Sequence, residues 1–129
     1  MLKLLLDTHV LLWWLEDNAL LNAKAKATII KGQNQVYVSA ATTWEASIKK
    51  SLGKLKAPDD LDGIIKDERF LELPISCYHG QLAGQLPPIH RDPFDRMLIA
   101  QAQAEGLTLL TGNLNIMKYS VRTMNARRQ

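Results

Sequence analysis

The sequence predicts an α/β fold, a three-layer α/β/α sandwich with a central, mainly parallel sheet. Two observations carry that prediction. Short apolar runs alternate with longer stretches of helical periodicity along all 129 residues, and parallel strands need such helical crossovers. Three strand-to-helix transitions also carry a carboxylate: Leu4-Leu5-Leu6-Asp7-Thr8-His9, Ser39-Ala40-Ala41-Thr42-Thr43-Trp44-Glu45 and His90-Arg91-Asp92-Pro93-Phe94-Asp95-Arg96. Ligands of open parallel sheets gather outside the carboxyl ends of the strands, the edge where these acids fall.

Leu2 to Leu6 is short and almost wholly apolar, as a strand buried on both faces should be, and Thr8 to Leu15 continues as an apolar helix. Ala19 to Lys31 sets Leu20, Ala23, Ala27 and Ile30 at helical spacing before the stop signal Gly32. Gln35 to Val38 alternates and is rich in β-formers, so it reads as the second strand. A helix over Thr43 to Leu52 follows and ends at Gly53. Pro58-Asp59-Asp60 opens a helix over Leu61 to Arg69, Phe70 to Leu73 is a short strand, and Ile75 to Leu86 is helical. Pro87-Pro88 enforces an extended loop. Pro93 to Glu105 is a helix closed by Gly106, and Leu107 to Leu110 is a strand. Thr111 to Arg128 holds a turn, a short helix and a strand at Tyr119 to Val121.

A chain of this length with 47% hydrophobic residues suits one domain, residues 1–129, with no tail of any length. The net charge of +3 mildly favours a polyanionic partner. The single cysteine, Cys77, excludes an internal disulfide and a cysteine zinc cluster, fits a reducing cytoplasm, and reads as a small buried hydrophobe. Asp7 and His9 interrupt the leucine-rich start, so it lacks the unbroken apolar centre of a secretory signal, and no stretch is long enough for a membrane span.

Each acid has a structural explanation as well as a chemical one. Asp7 suits the N-cap of the first helix, Thr42 with Glu45 matches a capping box, and Asp92 before Pro93 is a good N-cap with Asp95 in the first turn. Ser or Thr caps equally well, however, so capping alone predicts no preference for acids at three crevice positions. Carboxylates gathered from distant segments repel one another and need a cation, and hard oxygen donors select Mg²⁺ or Mn²⁺. Asp7, Glu45 and Asp95 are therefore assigned to a metal, and Asp92 mainly to capping.

These segments, followed by Leu107-Thr108-Leu109-Leu110-Thr111-Gly112-Asn113, resemble in order and spacing the PIN domain. More narrowly, they resemble the VapC-type toxins of bacterial type II toxin-antitoxin systems, over nearly the whole chain. The resemblance implies an Mg²⁺- or Mn²⁺-dependent ribonuclease, usually a homodimer, silenced by a cognate antitoxin. Carried over by position, the family's first three acids fall on Asp7, Glu45 and Asp95 as metal-binding catalytic residues. The fourth does not carry over, because Asn113 stands where an aspartate is usual. An amide oxygen can ligate a hard cation but brings no charge and cannot act as a base. One firm metal site is therefore expected, with Asn113 a further candidate ligand.

The hydroxyls of Thr8 and Thr111 are candidates for orienting a metal-bound water. Arg91 and Arg96 flank the third acid and suit a phosphate fork, or a surface ion pair with Asp92 or Asp95. His9, His79 and His90 share no metal-ligand spacing and are assigned no catalytic role. Lys49, Lys50, Lys54 and Lys56 form one basic cluster, and Arg122, Arg127 and Arg128 another; each reads as a solvated face or a path for RNA phosphates. Trp44 is assigned to the core, whereas Trp13 and Trp14 are candidates for a dimer or antitoxin groove.

Two other readings compete. Haloacid-dehalogenase-like phosphatases want a second acid two residues after the first, where His9 stands, and receiver domains want an acidic pair and a phosphorylatable aspartate where the chain reads Ser39-Ala40-Ala41. A non-enzymatic alternative is a catalytically weakened module, with Asn113 in place of an acid, that binds RNA or antitoxin without turnover.

Overall fold

In the computed structural model, which describes residues 1–129, the apolar run at the start of the chain becomes strand β1 (Lys3–Leu6) and feeds directly into helix α1 (Thr8–Leu15). There follow α2 (Ala23–Ile30), β2 (Gln35–Ser39), α3 (Ala40–Ser51), α4 (Leu61–Asp67), β3 (Leu71–Leu73), α5 (Cys77–Gln85), α6 (Pro93–Glu105), β4 (Thr108–Thr111) and, after a 3-10 turn at Ile116–Lys118, β5 (Thr123–Asn125). The sheet order is β3-β2-β1-β4-β5, and every neighbouring pair is parallel. The chain thus winds outward from β1 through β2 and β3, then returns to add β4 and β5 on the other side. That reversal leaves a crevice beside the carboxyl end of β1.

Alternation along the central strands fills both faces of the sheet. Leu4, Leu6, Val36, Val38 and Leu110 meet α1, α2 and α4 through Val10, Leu11, Ala25, Ile29, Leu61 and Ile65. Leu5 and Leu109 face the opposite way, onto Leu98, Ile99 and Ala102 of α6 and the buried Ile116 and Tyr119. Each fully buried large aliphatic side chain contributes about 1.5–3 kcal/mol, so this double core fixes β1 firmly in the centre. The crevice above it inherits that rigidity.

Several boundaries differ from the sequence prediction for local reasons. α2 starts four residues late because the Asn22 side chain accepts from the Ala25 amide (2.7 Å), while Leu21 bridges to Arg127. α3 starts three residues early because Ser39 is its N-cap, so Thr42 and Glu45 lie inside the helix and form no capping box. The capping box lies instead at Ser76 and His79 of α5. The last strand is Thr123–Asn125, not Tyr119 to Val121: Tyr119 is buried, and its hydroxyl donates to the Pro87 carbonyl at 2.7 Å. Two burial assignments are also corrected. Trp44 is 61% exposed, with its ring edge-on to Phe94 at 5.2 Å, and Cys77 is exposed at the start of α5.

Candidate active site

Asp7 is placed by the end of β1. Its amide donates to Leu110 O of the neighbouring strand (3.0 Å), and its Oδ1 caps α1 by accepting from the Val10 amide (2.8 Å). Glu45 projects from the second turn of α3, whose start is fixed by Ser39 at the end of β2. Asp92 caps α6 through Oδ1, which accepts from the amides of Phe94 (2.9 Å) and Asp95 (3.2 Å). Asp95 follows in the first turn. These four acids line one cavity of about 300 Å³ together with Thr8, His9, Trp13, Lys49, His90, Gly112, Asn113 and Arg127. The three acids singled out by the sequence thus meet, and Asp92 joins them.

The electrostatics follow from burial. Asp7 and Glu45 are 4% and 3% exposed. Loss of solvation raises the Asp7 carboxyl from 3.8 to about 6, opposed by hydrogen bonds from Thr111 and the Val10 amide and reinforced by repulsion from Glu45. Burial likewise raises Asp95 to about 6; His90 opposes this, while Asp92, Asp7 and Glu45 add repulsion. Glu45 is held on both sides. Thr8 Oγ1 donates to Oε1 at 2.6 Å, and Lys49 Nζ lies 2.5 Å from Oε2. That contact holds the Lys49 ammonium above its usual range.

The donor chemistry fits a hard divalent cation. Asp92 and Asp95 each direct one oxygen to protein donors and leave the other without a protein hydrogen bond, while Asp7 is held by the Val10 amide and the Thr111 hydroxyl. His90 Nε2 lies 2.8 Å from Asp95 Oδ2, and donor atoms of His90, Asp92 and Asp95 come within 4.8 Å of one another. The lining carries four carboxylates against the two permanent cations Lys49 and Arg127. With all four ionised, that excess matches the charge of one divalent ion.

Other candidate residues take different roles. The Thr8 hydroxyl is committed to Glu45, so Thr8 positions an acid and has no proton left for a water. Thr111 is wholly buried and outside the cavity lining; its Oγ1 accepts from the Asn113 amide at 3.0 Å, and its hydroxyl supports the Asp7 carboxylate. Asn113 lines the cavity, and its Nδ2 donates to Asp95 Oδ2 at 3.3 Å. Arg96 does not present a phosphate fork or form a surface ion pair. Its guanidinium binds the carbonyls of Ala83, Leu86, Pro87 and His90 at 2.9–3.2 Å, tying α6 to the end of α5. Arg91 is exposed and outside the cavity lining.

Several lining residues have no site role legible in the sequence: Asp92 reads as a cap, His9 and His90 share no metal-ligand spacing, and Lys49 and Arg127 fall in basic clusters. The spacing Glu45-x-x-x-Lys49 was a usable signal, because it puts an ammonium on the same helix face as the acid. The position of Arg127 had no local signal: its guanidinium reaches the cavity by lying over the Trp13 ring, 5.9 Å from the centroid. Gly112 lets this happen, since a Cβ there would come within 2.9 Å of Arg127 Cβ and 3.2 Å of Trp13.

The family model of the PIN domain matches residues 4–121, a span that includes every acid of the cavity. The chain belongs to the PIN domain family. No curated protein matches it. Solved structures that share the fold of this PIN domain include three of similar length. VapBC2 from Rickettsia felis bound to a DNA fragment from its promoter matches at 17% identity over 96% of this chain and 98% of that one, with a TM-score of 0.71. DNA-bound VapBC from Salmonella typhimurium matches at 20% identity, 96% and 98% coverage, and 0.68. FitAcB from Neisseria gonorrhoeae matches at 20% identity, 95% and 97% coverage, and 0.63. PIN domains of this kind are generally nucleases that use a divalent metal, and an acid-lined cavity occupies the carboxyl edge of the sheet here. No helix is long and apolar enough to cross a membrane.

Proposed function

We propose that the protein is an Mg²⁺- or Mn²⁺-dependent endoribonuclease and the toxin of a VapBC-like type II toxin-antitoxin pair. The observation that carries this reading is the convergence of Asp7, Glu45, Asp92 and Asp95 on one cavity beside the carboxyl end of the central strand. A solved structure with this fold is a toxin-antitoxin complex from Klebsiella pneumoniae, and this supports an antitoxin for the present chain. A homodimer and a cytoplasmic setting belong to the same reading.

Asp7, Asp95 and Glu45 would hold the ion, with Asp92 as an additional donor. Asn113, a candidate ligand by sequence, turns its Nδ2 to Asp95 while its Oδ1 accepts from the Asn115 amide at 2.9 Å, so its amide oxygen does not face the ion. When bound, a divalent ion neutralises phosphate charge and makes water more acidic. The residues of the chain supply the rest. Thr8 fixes Glu45, the Val10 amide fixes Asp7, and His90 fixes Asp95, so the carboxylates are oriented before substrate arrives. Arg127, at the cavity wall, is the best-placed guanidinium for the scissile phosphate and takes the role first expected of Arg91 and Arg96. Hydrolysis forms a bond from water oxygen to phosphorus and breaks the bond to the 3′ oxygen, leaving a 5′ phosphate and a 3′ hydroxyl.

The test is cleavage of RNA by the purified protein with Mg²⁺ or Mn²⁺, against EDTA and Asp7→Ala controls. The proposal expects metal-dependent cleavage that is lost in both controls. Cleavage that persists in Asp7→Ala would reject the site. RNA or antitoxin binding without turnover at any metal concentration would establish the weakened, non-enzymatic module.

A further inference from the structure

Glu45 differs from its neighbours in the cavity. Asp92 and Asp95 each retain an oxygen free of protein hydrogen bonds, whereas Thr8 occupies one oxygen of Glu45 and Lys49 occupies the other. A cation that used Glu45 together with the aspartates would meet an ammonium already seated there. We infer that Lys49 is an internal counter-cation of the metal site, occupying the Glu45 position and giving it up when a divalent ion enters. This inference rests on the metal-dependent reading above.

An ordinary helix-surface pair does not account for this geometry. Four residues apart on α3, Glu45 and Lys49 have surface-pair spacing, yet the Glu45 side chain is only 3% exposed and opens onto three further acids. The neighbouring pair shows what an ordinary contact looks like: Lys50 meets Asp59, whose side chain is 99% exposed. A surface pair of that sort contributes little. Lys49 instead answers a crowd of buried negative charge, because Asp92 and Asp95 act on its ammonium as well as Glu45. Its backbone lies in the last turn of α3, and its side chain is about a third exposed, so the flexible stem can swing outward without moving the helix.

Two consequences are opposite in sign. Without metal, Lys49 lowers the repulsion among the acids and stabilises the fold. With metal, it competes for the same carboxylate and weakens the ion's binding. A role confined to structure would change only the first of these.

The experiment is calorimetric titration of the full chain with Mn²⁺, paired with thermal unfolding in EDTA, for the wild type, Lys49→Met and Lys49→Arg. Lys49→Met is expected to bind Mn²⁺ about tenfold more tightly and to unfold at a lower temperature in EDTA. Lys49→Arg keeps the charge and should bind Mn²⁺ as the wild type does. If the Met variant does not fold in EDTA, Lys49→Gln decides the same comparison. Equal or weaker Mn²⁺ binding in the neutral variants overturns this inference alone. Absence of Mn²⁺ binding in every protein, wild type included, overturns the metal-dependent reading and this inference with it.

Discussion

The two ends of the sheet carry hollows of similar size and opposite character. At the carboxyl end, about 300 Å³ is lined by four acids and one apolar residue. At the amino end of β2 and β3, about 360 Å³ is lined by five apolar side chains, among them Ile29, Val36 and Phe70, together with the cations Lys31 and Arg69, with Glu68 the sole acid. Volume therefore does not single out the site. The difference is made by the starts of α1, α3 and α6, two of them directly after strands and the third after the loop that follows α5, which deliver oriented carboxylates to one end only, and by burial, which makes those carboxylates costly unless a cation answers them.

The sharpest way to break the comparison is to exchange an acid at each end. Asp7→Asn should lower RNA cleavage by about a hundredfold or more, because the variant loses a charged ligand while asparagine still caps α1. The same variant should unfold at a higher temperature in EDTA, since a buried charge is removed. Glu68→Gln, at the other hollow, should leave cleavage unchanged. A cleavage assay with a melting curve for each variant checks all three outcomes.

Proton linkage gives the next effect. Asp7 and Asp95 titrate near about 6 in the fold against 3.8 in the unfolded chain. Between those values the folded state holds protons that the unfolded state has lost, so stability in EDTA falls as pH rises through that window. For Asp7 the loss is about 3 kcal/mol once pH exceeds both values. Saturating Mn²⁺ should reverse the trend, because the ion competes with the same protons and binds more tightly as pH rises. Calorimetry at about pH 5 and about pH 7, with and without Mn²⁺, measures both signs.

The two arginines near the crevice should separate in the same way. Arg96→Met is expected to cost about 2 kcal/mol of stability by leaving carbonyls of α5 and the following loop unanswered, with no specific loss of RNA affinity in the folded fraction. Arg127→Ala should leave the melting temperature nearly unchanged and weaken RNA binding, with a shallower salt dependence. Chemical denaturation and filter binding at two salt concentrations distinguish them.

The smallest expected change concerns Asn113. Asn113→Asp adds a charge beside Asp95 and should tighten Mn²⁺ binding about threefold and speed cleavage by a similar factor. An unchanged titration would place residue 113 outside the ion's coordination.

Much of the fold was legible because it rests on local patterns. The buried run at Leu4 to Leu6 and the stop signals after α3 and α6 specify a strand and helix ends whatever surrounds them. The meeting of Asp7 and Glu45 could be anticipated because each follows from a strand end, whereas Asp95 enters from the loop after α5, where the sequence reading of a strand-to-helix transition is not met. What escaped depended on contacts between distant segments. Trp44 looks like core by composition, but it lies on the outward side of α3, next to the inward-facing Glu45. Arg96 looks like a phosphate binder until the end of α5 folds against it. Arg127 enters the site only because β5 returns the chain beside Gly112 and Trp13. Asp92 was hidden by an explanation that is true but incomplete: one oxygen caps α6 while the other remains free.

The most direct measurement is an anomalous difference map from crystals of the protein soaked with Mn²⁺. A peak bounded by carboxylate oxygens of Asp7, Glu45 and Asp95 is expected, with Lys49 displaced from Glu45. A crevice without Mn²⁺ density at saturating metal, with Lys49 still seated on Glu45, would contradict this expectation.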